Sequence, residues 1–452
     1  MAAAVLAAAV VAAIEGRAMS KKDMRSISAT LAAATCTLLG TGAPQPVQAQ
    51  EEPGWDFNTA LLYYGEQDDR IQDLSVSVLT RKVFVDDRIL SIGLTVDALT
   101  GASPNGALVQ SVPQTFTKPS GKKTFTTAPG ELPLDNTFRD SRVALSLDWQ
   151  QPLGRLYAFN VGASASAEFD YLHVGVNAKL SRDFNNRNTT LSGGVAVAQD
   201  ELDPVGGVPV GLTRMRNVDE RTGRTRIESK DIFDVIFGVT QVVSKNFLVQ
   251  LNYSYSDSSG YLSDPYKIVS VVDGTTGDAV PLPPADGPSH LNFYEHRPDS
   301  RVKHSLYAQG KYYMSGKVLD ASYRYMTDDW EIDSHTIDIR LRWPVGERSY
   351  FEPHLRFYSQ TAAEFYHLSL IDGDPLPGYA SADYRLGDFD AITAGLKFGW
   401  KIGGSDEMHV RLEAYRQSGN LSRSQLIGNQ ADRDNYPDLN AIIFQFGYMF
   451  GK

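Results

Sequence analysis

DIFDVIFGVTQVVSKNFLVQLNYSY (231–255) alternates apolar and polar residues on both sides of a tight turn. Phe233, Val235, Phe237 and Val239 fall on one face, opposite Asp234 and Thr240. After Val-Ser-Lys-Asn the pattern resumes, with Phe247, Val249, Leu251, Tyr253 and Tyr255 against Gln250, Asn252 and Ser254. A period of two marks strands with one apolar face, and two such runs across a short turn make a hairpin. Each run exceeds the usual globular strand and matches the length of a tilted strand crossing a bilayer.

Working outward, the pattern recurs in sixteen segments: 55–65, 70–82, 88–98, 138–149, 154–166, 170–181, 188–200, 230–241, 246–258, 301–313, 317–328, 331–343, 348–360, 389–401, 406–418 and 438–450. The gaps after even-numbered segments are tight (VDDR, QPLG, FNNR, VSKN, MSGK, PVGE, GGSD). The long gaps, 99–137, 201–229, 259–300, 361–388 and 419–437, all follow odd-numbered ones. Short turns therefore gather at one end of the sheet and long loops at the other, as in a bacterial outer-membrane barrel. A soluble sandwich has no reason to sort loop length by strand parity. Closure also removes the unpaired strand edges that a bilayer forbids. The fold class expected is a transmembrane antiparallel β-barrel.

The second face supports this. Strands ten to fifteen direct Lys303, Lys311, Asp320, Arg324, Asp338, Arg340, Arg342, Glu352, Arg356, Lys397, Lys401, Arg411 and Glu413 to the side opposite the apolar stripe. No sandwich core could bury so many charges. The first nine strands carry Asn58, Ser75, Ser77, Gly93, Asn160, Gly175 and Asn177 there instead. The lumen is expected to have one charge-dense wall and one smooth wall. Asp97, Arg324, Arg340, Arg342, Glu352, Arg356, Lys397, Arg411 and Glu413 are the pore-lining candidates.

The chain has 452 residues, 42% hydrophobic, and a formal charge of −11. An acidic balance without a basic stripe excludes nucleic acid as an expected partner. Residues 1–49 read as an export region. Met19, the expected true start, is followed by Lys21, Lys22 and Arg25, then by ISATLAAATCTLLGTGA and Val47-Gln48-Ala49. That is the three-part signal with an A-x-A-like cleavage site, leaving 50–452 as a single barrel domain. The only cysteine, Cys36, lies inside this region, so the mature chain has neither disulfides nor thiolate metal sites. An Ala-Ala-Thr before it fits a lipoprotein cleavage site poorly. No later apolar stretch is long enough for a membrane helix.

VDALTGASPNGA (96–107), SYRYMTDDWEIDSHTIDIRLRW (322–343) and YFEPHLRFYSQTAAEFY (350–366), in that order, resemble a bacterial family of outer-membrane barrels catalogued as a domain of unknown function. The resemblance covers nearly all the mature chain. It implies a barrel of unassigned role, with genes beside those for a small lipoprotein, a thioredoxin-like protein and a flavin transferase. The chain departs from the usual aromatic end of such barrels, because Gly451 and Lys452 follow Phe450.

Three stretches invite a functional reading. Gly101, Pro104, Asn105 and Gly106 break strand three and redirect a long loop, which is expected to fold inward against the wall. The functional alternative is a constriction or docking element with Asp97 among its contacts. Asp328, Asp329, Asp333 and His335 crowd an outward hairpin and offer ligands for Ca²⁺, Mn²⁺ or Fe²⁺, with Glu364 and His367 on the same side; solvated turn acids are the plainer explanation. Asp432, Asp434, Asn435 and Asp438 are expected to be solvated or to meet divalent ions bridging lipopolysaccharide. His173, His304, His354 and His409 lie in strands, but GxSxG, a P-loop and a dinucleotide fingerprint are all missing. The expectation is therefore a non-enzymatic channel for small polar solutes in a Gram-negative outer membrane. Its partners would be lipid, lipopolysaccharide and the barrel assembly machinery, and no cofactor is expected. The alternative is a plugged scaffold that holds a lipoprotein or redox partner.

Overall fold

The computed structural model describes residues 53–451, apart from 68–69, 102–103, 119–122, 135–137, 216–226, 284–287, 405, 422–425 and 437. The expected export region lies outside the described residues. Sixteen strands close into one antiparallel barrel. They are β1 (Gly54–Glu66), β2 (Gln72–Val83), β3 (Ile89–Gly101), β4 (Phe138–Leu153), β5 (Tyr157–Ala167), β6 (Tyr171–Phe184), β7 (Thr189–Leu202) and β8 (Glu228–Ser244). Then follow β9 (Phe247–Gly260), β10 (Ser300–Met314), β11 (Lys317–Asp328), β12 (Asp333–Val345), β13 (Ser349–Gln360), β14 (Phe389–Gly403), β15 (Asp406–Gly419) and β16 (Leu439–Gly451). Each coincides with one alternating segment of the sequence. β1 pairs with β16, Tyr63 opposite Phe444 and Phe57 opposite Phe450, so no edge remains. The Phe57 and Phe450 rings stack at 5.0 Å, and Tyr448 stacks on Phe450 at 4.8 Å. Gly451 thus continues a strand already anchored by aromatic residues.

Apolar side chains are displayed outward: Phe237 is 58% exposed, and Leu251, Leu306, Leu412 and Ile442 are more than half exposed. Such a band is stable only against lipid. Basic residues lie over aromatic rings on the same surface, as Lys317 does over Trp343 at 3.8 Å. The tight turns use left-handed backbone, as in Ser315-Gly316, where φ is +47° and +89°. Positive φ at both central residues suits the twist of a two-residue hairpin.

A conventional core occurs in the outward loops rather than in the barrel. Ile268–Val272 is wholly buried, pairing antiparallel with Asn292–Tyr294 and parallel with Leu370–Ile371. Phe116, Met215 and Tyr294 pack around Ile268, while Leu370, Ala380 and Ala382 pack around Val269 and Val271. A Gln114–Thr117/Thr124–Thr127 hairpin adds the loop after β3. Arg433, just before β16, donates to the Gln110 side chain at 3.1 Å and forms an ion pair with Asp278. The loops after β3, β7, β9, β13 and β15 therefore form one folded cap over the long-loop end.

Candidate functional site

The broken stretch after β3 is explained by this cap. Gly101 has φ +108°, and a Cβ there would lie 1.7 Å from the Arg70 carbonyl oxygen. Gly106 has φ +96°, and its Cβ would lie 2.3 Å from the Ile268 carbonyl oxygen. Only glycine allows both the conformation and the approach. The Ile268 N–H donates to the Asn105 carbonyl at 2.8 Å, and Ala107, Leu108 and Val109 follow into the interior.

Charged groups lock the cap. Asp383 precedes the turn Tyr384–Leu386 and accepts from the Arg385 backbone N–H. The Arg385 guanidinium returns to Asp383 (Nε to Oδ1, 2.9 Å) and reaches Asp264 at 3.0 Å. Arg297 donates to Asp383 at 2.8 Å, and its Nε lies 2.7 Å from Glu295, whose other oxygen accepts from Ser381 at 2.5 Å. Lys267 donates to the Pro104 carbonyl. Burial alone would raise the Asp383 carboxyl, but Arg385, Lys267 and Arg297 outweigh it and hold the group far below the usual carboxylate range. Burial pushes Glu295 upward and Lys267 downward. Three cations thus face three carboxylates, and removal of one member would strand a buried charge at about 3–5 kcal/mol.

Two chambers lie beneath. One, of about 440 Å³, is bounded by β6–β13 and the cap, and its cations include Lys230, Arg301, Lys303, Arg324 and Arg356. The other, of about 620 Å³, runs from Tyr64 and Glu66 to His354, Glu413 and Tyr415. Arg356, Tyr358 and Arg385 border both chambers.

The pore-lining candidates stand on the inner face as follows. Asp97 is buried, accepting from Ser75 and from Arg142 Nε, both at 2.6 Å. Arg324 lies over the Tyr307 ring at 5.6 Å. Arg340 pairs with Asp338 at 3.2 Å, and Arg342 pairs with Glu407 at 3.2 Å while covering the Tyr350 ring. Lys397 reaches the same ring at 5.6 Å. Arg411 lies 3.6 Å from Glu413 and 3.9 Å from Glu352. His354 joins the rows, 2.9 Å from Asp338 and 2.8 Å from Glu413. Glu407, Tyr350 and the role of His354 were not foreseen, although their phase matches that of Glu352 and Arg356. The Arg340 and Arg342 side chains remain about 40% exposed (40% and 42%), as in a wet lumen. The first nine strands are less neutral than expected, for they carry Asp97–Arg142 and a cluster of Tyr171, His173, Asp200 and Lys230.

Asp328, Asp329, Asp333 and His335 do not converge among the described residues. Asp328 takes the Arg301 guanidinium and the backbone N–H groups of Trp330 and Ile332. Asp329 accepts from the Val302 N–H, while Asp333 and His335 turn to Tyr325 and Tyr323 on the opposite face. The cause is strand alternation: neighbours in sequence point to opposite sides. Among the described residues one carboxylate group is compact, Asp140 with Glu168 and Asp170. Burial and then the Asp140 charge push Glu168 up to about 8. Burial likewise raises Asp170, to about 6, against a hydrogen bond from Tyr266. Near Asp432 and Asp434, the neighbouring Asp438 pairs with Arg416 at 2.7 Å.

A family model described as "Protein of unknown function (DUF3570)" matches residues 28–450. No curated protein matches the chain by sequence. Among solved structures, a mutant of the ferric enterobactin receptor PfeA from Pseudomonas aeruginosa, in complex with enterobactin, is similar at 11% identity and TM-score 0.39. That match covers 80% of this chain and 53% of the receptor, so the chain spans about half the receptor's length. CdiB from Acinetobacter baumannii gives 10% identity and TM-score 0.40 over 88% of this chain and 60% of that one. A loop-deletion mutant of OmpT, an outer membrane protein of Vibrio cholerae, gives 10% and 0.37 over 89% and 100%.

Proposed function

The chain belongs to the DUF3570 family of proteins of unknown function, and because membership brings no activity with it, we propose from the geometry alone a gated outer-membrane channel for small polar solutes. The observation that carries this reading is the contrast between wall and cap. Wall cations such as Arg340 and Arg342 pair loosely and stay half in water, whereas Arg385 and Arg297 are locked against Asp383 and Glu295. A lumen filled by a permanent plug would use its wall charges to hold that plug. Here the cap closes the outer mouth largely on its own ion pairs, so it can lift without dismantling the wall. Solvent reaches the inward Asn58 and Thr240 towards the tight-turn end. Selection would then follow size and the field of the charged rows.

The packing of the cap favours a second reading, a closed surface scaffold that holds a lipoprotein or other envelope partner. Single-channel recording in planar bilayers separates the two. The wild type should be mostly silent, and Arg385→Ala should open in stable steps. If a variant lacking the 371–386 segment is also silent while still heat-modifiable on a gel, the channel reading fails and the scaffold stands.

A further inference from the structure

The inner wall of β5–β7 brings together three side chains that the channel does not use. Ser164 Oγ lies 3.3 Å from His173 Nε2, and His173 Nδ1 lies 2.6 Å from Asp200 Oδ1. Asp200 is 1% exposed, and its second oxygen takes the Tyr171 hydroxyl and the Lys230 ammonium, the latter at 2.7 Å. The carboxylate is thereby fixed, and it holds the imidazole with Nδ1 protonated and Nε2 free to accept. His173 stands opposite Asp200 across one pair of strands, and Gly175 stands opposite Ser164 across the other.

The surroundings leave room for a substrate. A Cβ on Gly175 would lie 3.1 Å from Ser164 Oγ and 3.3 Å from His173 Nε2, so the missing side chain opens a niche between nucleophile and base. That niche, about 20 Å³, is floored by Gly175, Ala196 and Ala198 and also touches Asn177, Ile232 and Asp234. It holds one small group, the size of a carbonyl. Ile232 and Asp234 also line the 440 Å³ chamber, which supplies the space and the cations for the rest of a ligand.

We propose that Ser164, His173 and Asp200 form a nucleophilic triad that hydrolyses small carboxylic esters bearing an anionic group inside the lumen. Ser164 Oγ attacks the carbonyl carbon while its proton passes to His173 Nε2. The amide of Asn177 is the side-chain donor in the niche available to the developing oxyanion. The C–O bond to the alkoxide breaks, and the alkoxide takes the proton from Nε2, leaving an acyl-serine. Water then adds to that carbonyl and gives a proton to Nε2. The Ser164–acyl bond breaks, and Ser164 recovers the proton. Ester and water become acid and alcohol, with no external oxidant or reductant. The lipid is no substrate, because all three side chains face inward.

The test uses the folded full-length barrel in detergent with a fluorophosphonate probe and 4-nitrophenyl acetate. The wild type should label at Ser164, and Ser164→Ala should not label. His173→Gln should label at least about 100-fold more slowly, the usual loss on removing a general base. Ser166→Ala, which alters the residue directly across from His173, should label as the wild type does. A heat-modifiable wild-type barrel that does not label, or labelling that survives Ser164→Ala, would overturn the proposal. A purely structural network around Asp200 would give the first of those results.

Discussion

The carbonyl oxygen of Ile268 occupies the place a side chain on Gly106 would need, 2.3 Å from the ideal Cβ position. This contact joins the loop after β3 to the buried strand of the loop after β9. Gly106→Ala should therefore loosen the cap by about 1–3 kcal/mol, combining backbone strain with the clash. Limited proteolysis should cut the outer loops sooner, while the barrel's heat-modifiable migration on a gel stays unchanged. Loss of the folded band would show that cap and barrel are not separable.

The lock and the wall should respond differently to charge removal. Arg385→Ala strands Asp264 and leaves Asp383 with Arg297 as its guanidinium partner, and should destabilise the cap by about 3–5 kcal/mol. Replacing Arg340 and Arg356 with Gln removes wall charges, and the half-exposed Arg340–Asp338 pair adds at most about 1 kcal/mol. That double variant should shift anion/cation preference without lowering heat resistance. A large loss of barrel stability with unchanged permeation would favour the scaffold.

Topology is checked by labelling at exposed sites. With Cys36 in the expected signal as the chain's only cysteine, single substitutions report cleanly. Asp374→Cys, in the loop after β13, should react with an impermeant maleimide on intact cells. Glu347→Cys, in the turn between β12 and β13, should react only after the outer membrane is opened. The reverse pattern would invert the barrel.

The strands and their facing were legible because alternation is local and a one-residue slip would flip a whole face. The cap was not. Its Ile268–Val272 strand is a five-residue run, apolar except for Ser270, inside a long loop, and its partners at Leu370–Ile371 lie about a hundred residues away. Asp328 and His335 are close in sequence yet apart in space because alternation turns Asp328 to Arg301 while Asp333 and His335 face Tyr325 and Tyr323 on the other side. Ser164, His173 and Asp200 were within reach. Both hairpins that align them have short turns, so register could have been counted from the turn outward.

A pH effect should appear at the outward turn between β5 and β6. Glu168 is raised from 4.5 to about 8 and Asp170 from 3.8 to about 6, so the folded state holds protons that the unfolded chain has lost. For raised carboxyl groups, the stabilisation is complete below the unfolded values and is lost as pH rises through the folded ones. Between about pH 4.5 and 8, the buried turn should therefore lose stability as Glu168 and Asp170 ionise, even though the Tyr266 hydroxyl, donating to Asp170 at 2.5 Å, favours the charged carboxylate. The hydrogen-exchange protection at 168–171, after division by the intrinsic base-catalysed rate at each pH, should fall across that window, and Glu168→Gln should flatten most of the change. Faster exchange at low pH would contradict the assignment.

The Arg433 contacts with Gln110 and Asp278 bear on biogenesis. Arg433 and Gln110 are 323 residues apart, and Arg433 stands just before the closing strand. Contacts so distant in sequence bring the largest loop-closure penalty and form late. A chain still waiting for β16 would have neither a paired seam nor a finished cap. Docking the last strand brings Arg433 to Gln110 and Asp278, so the final contacts of the cap form together with the closure of the barrel.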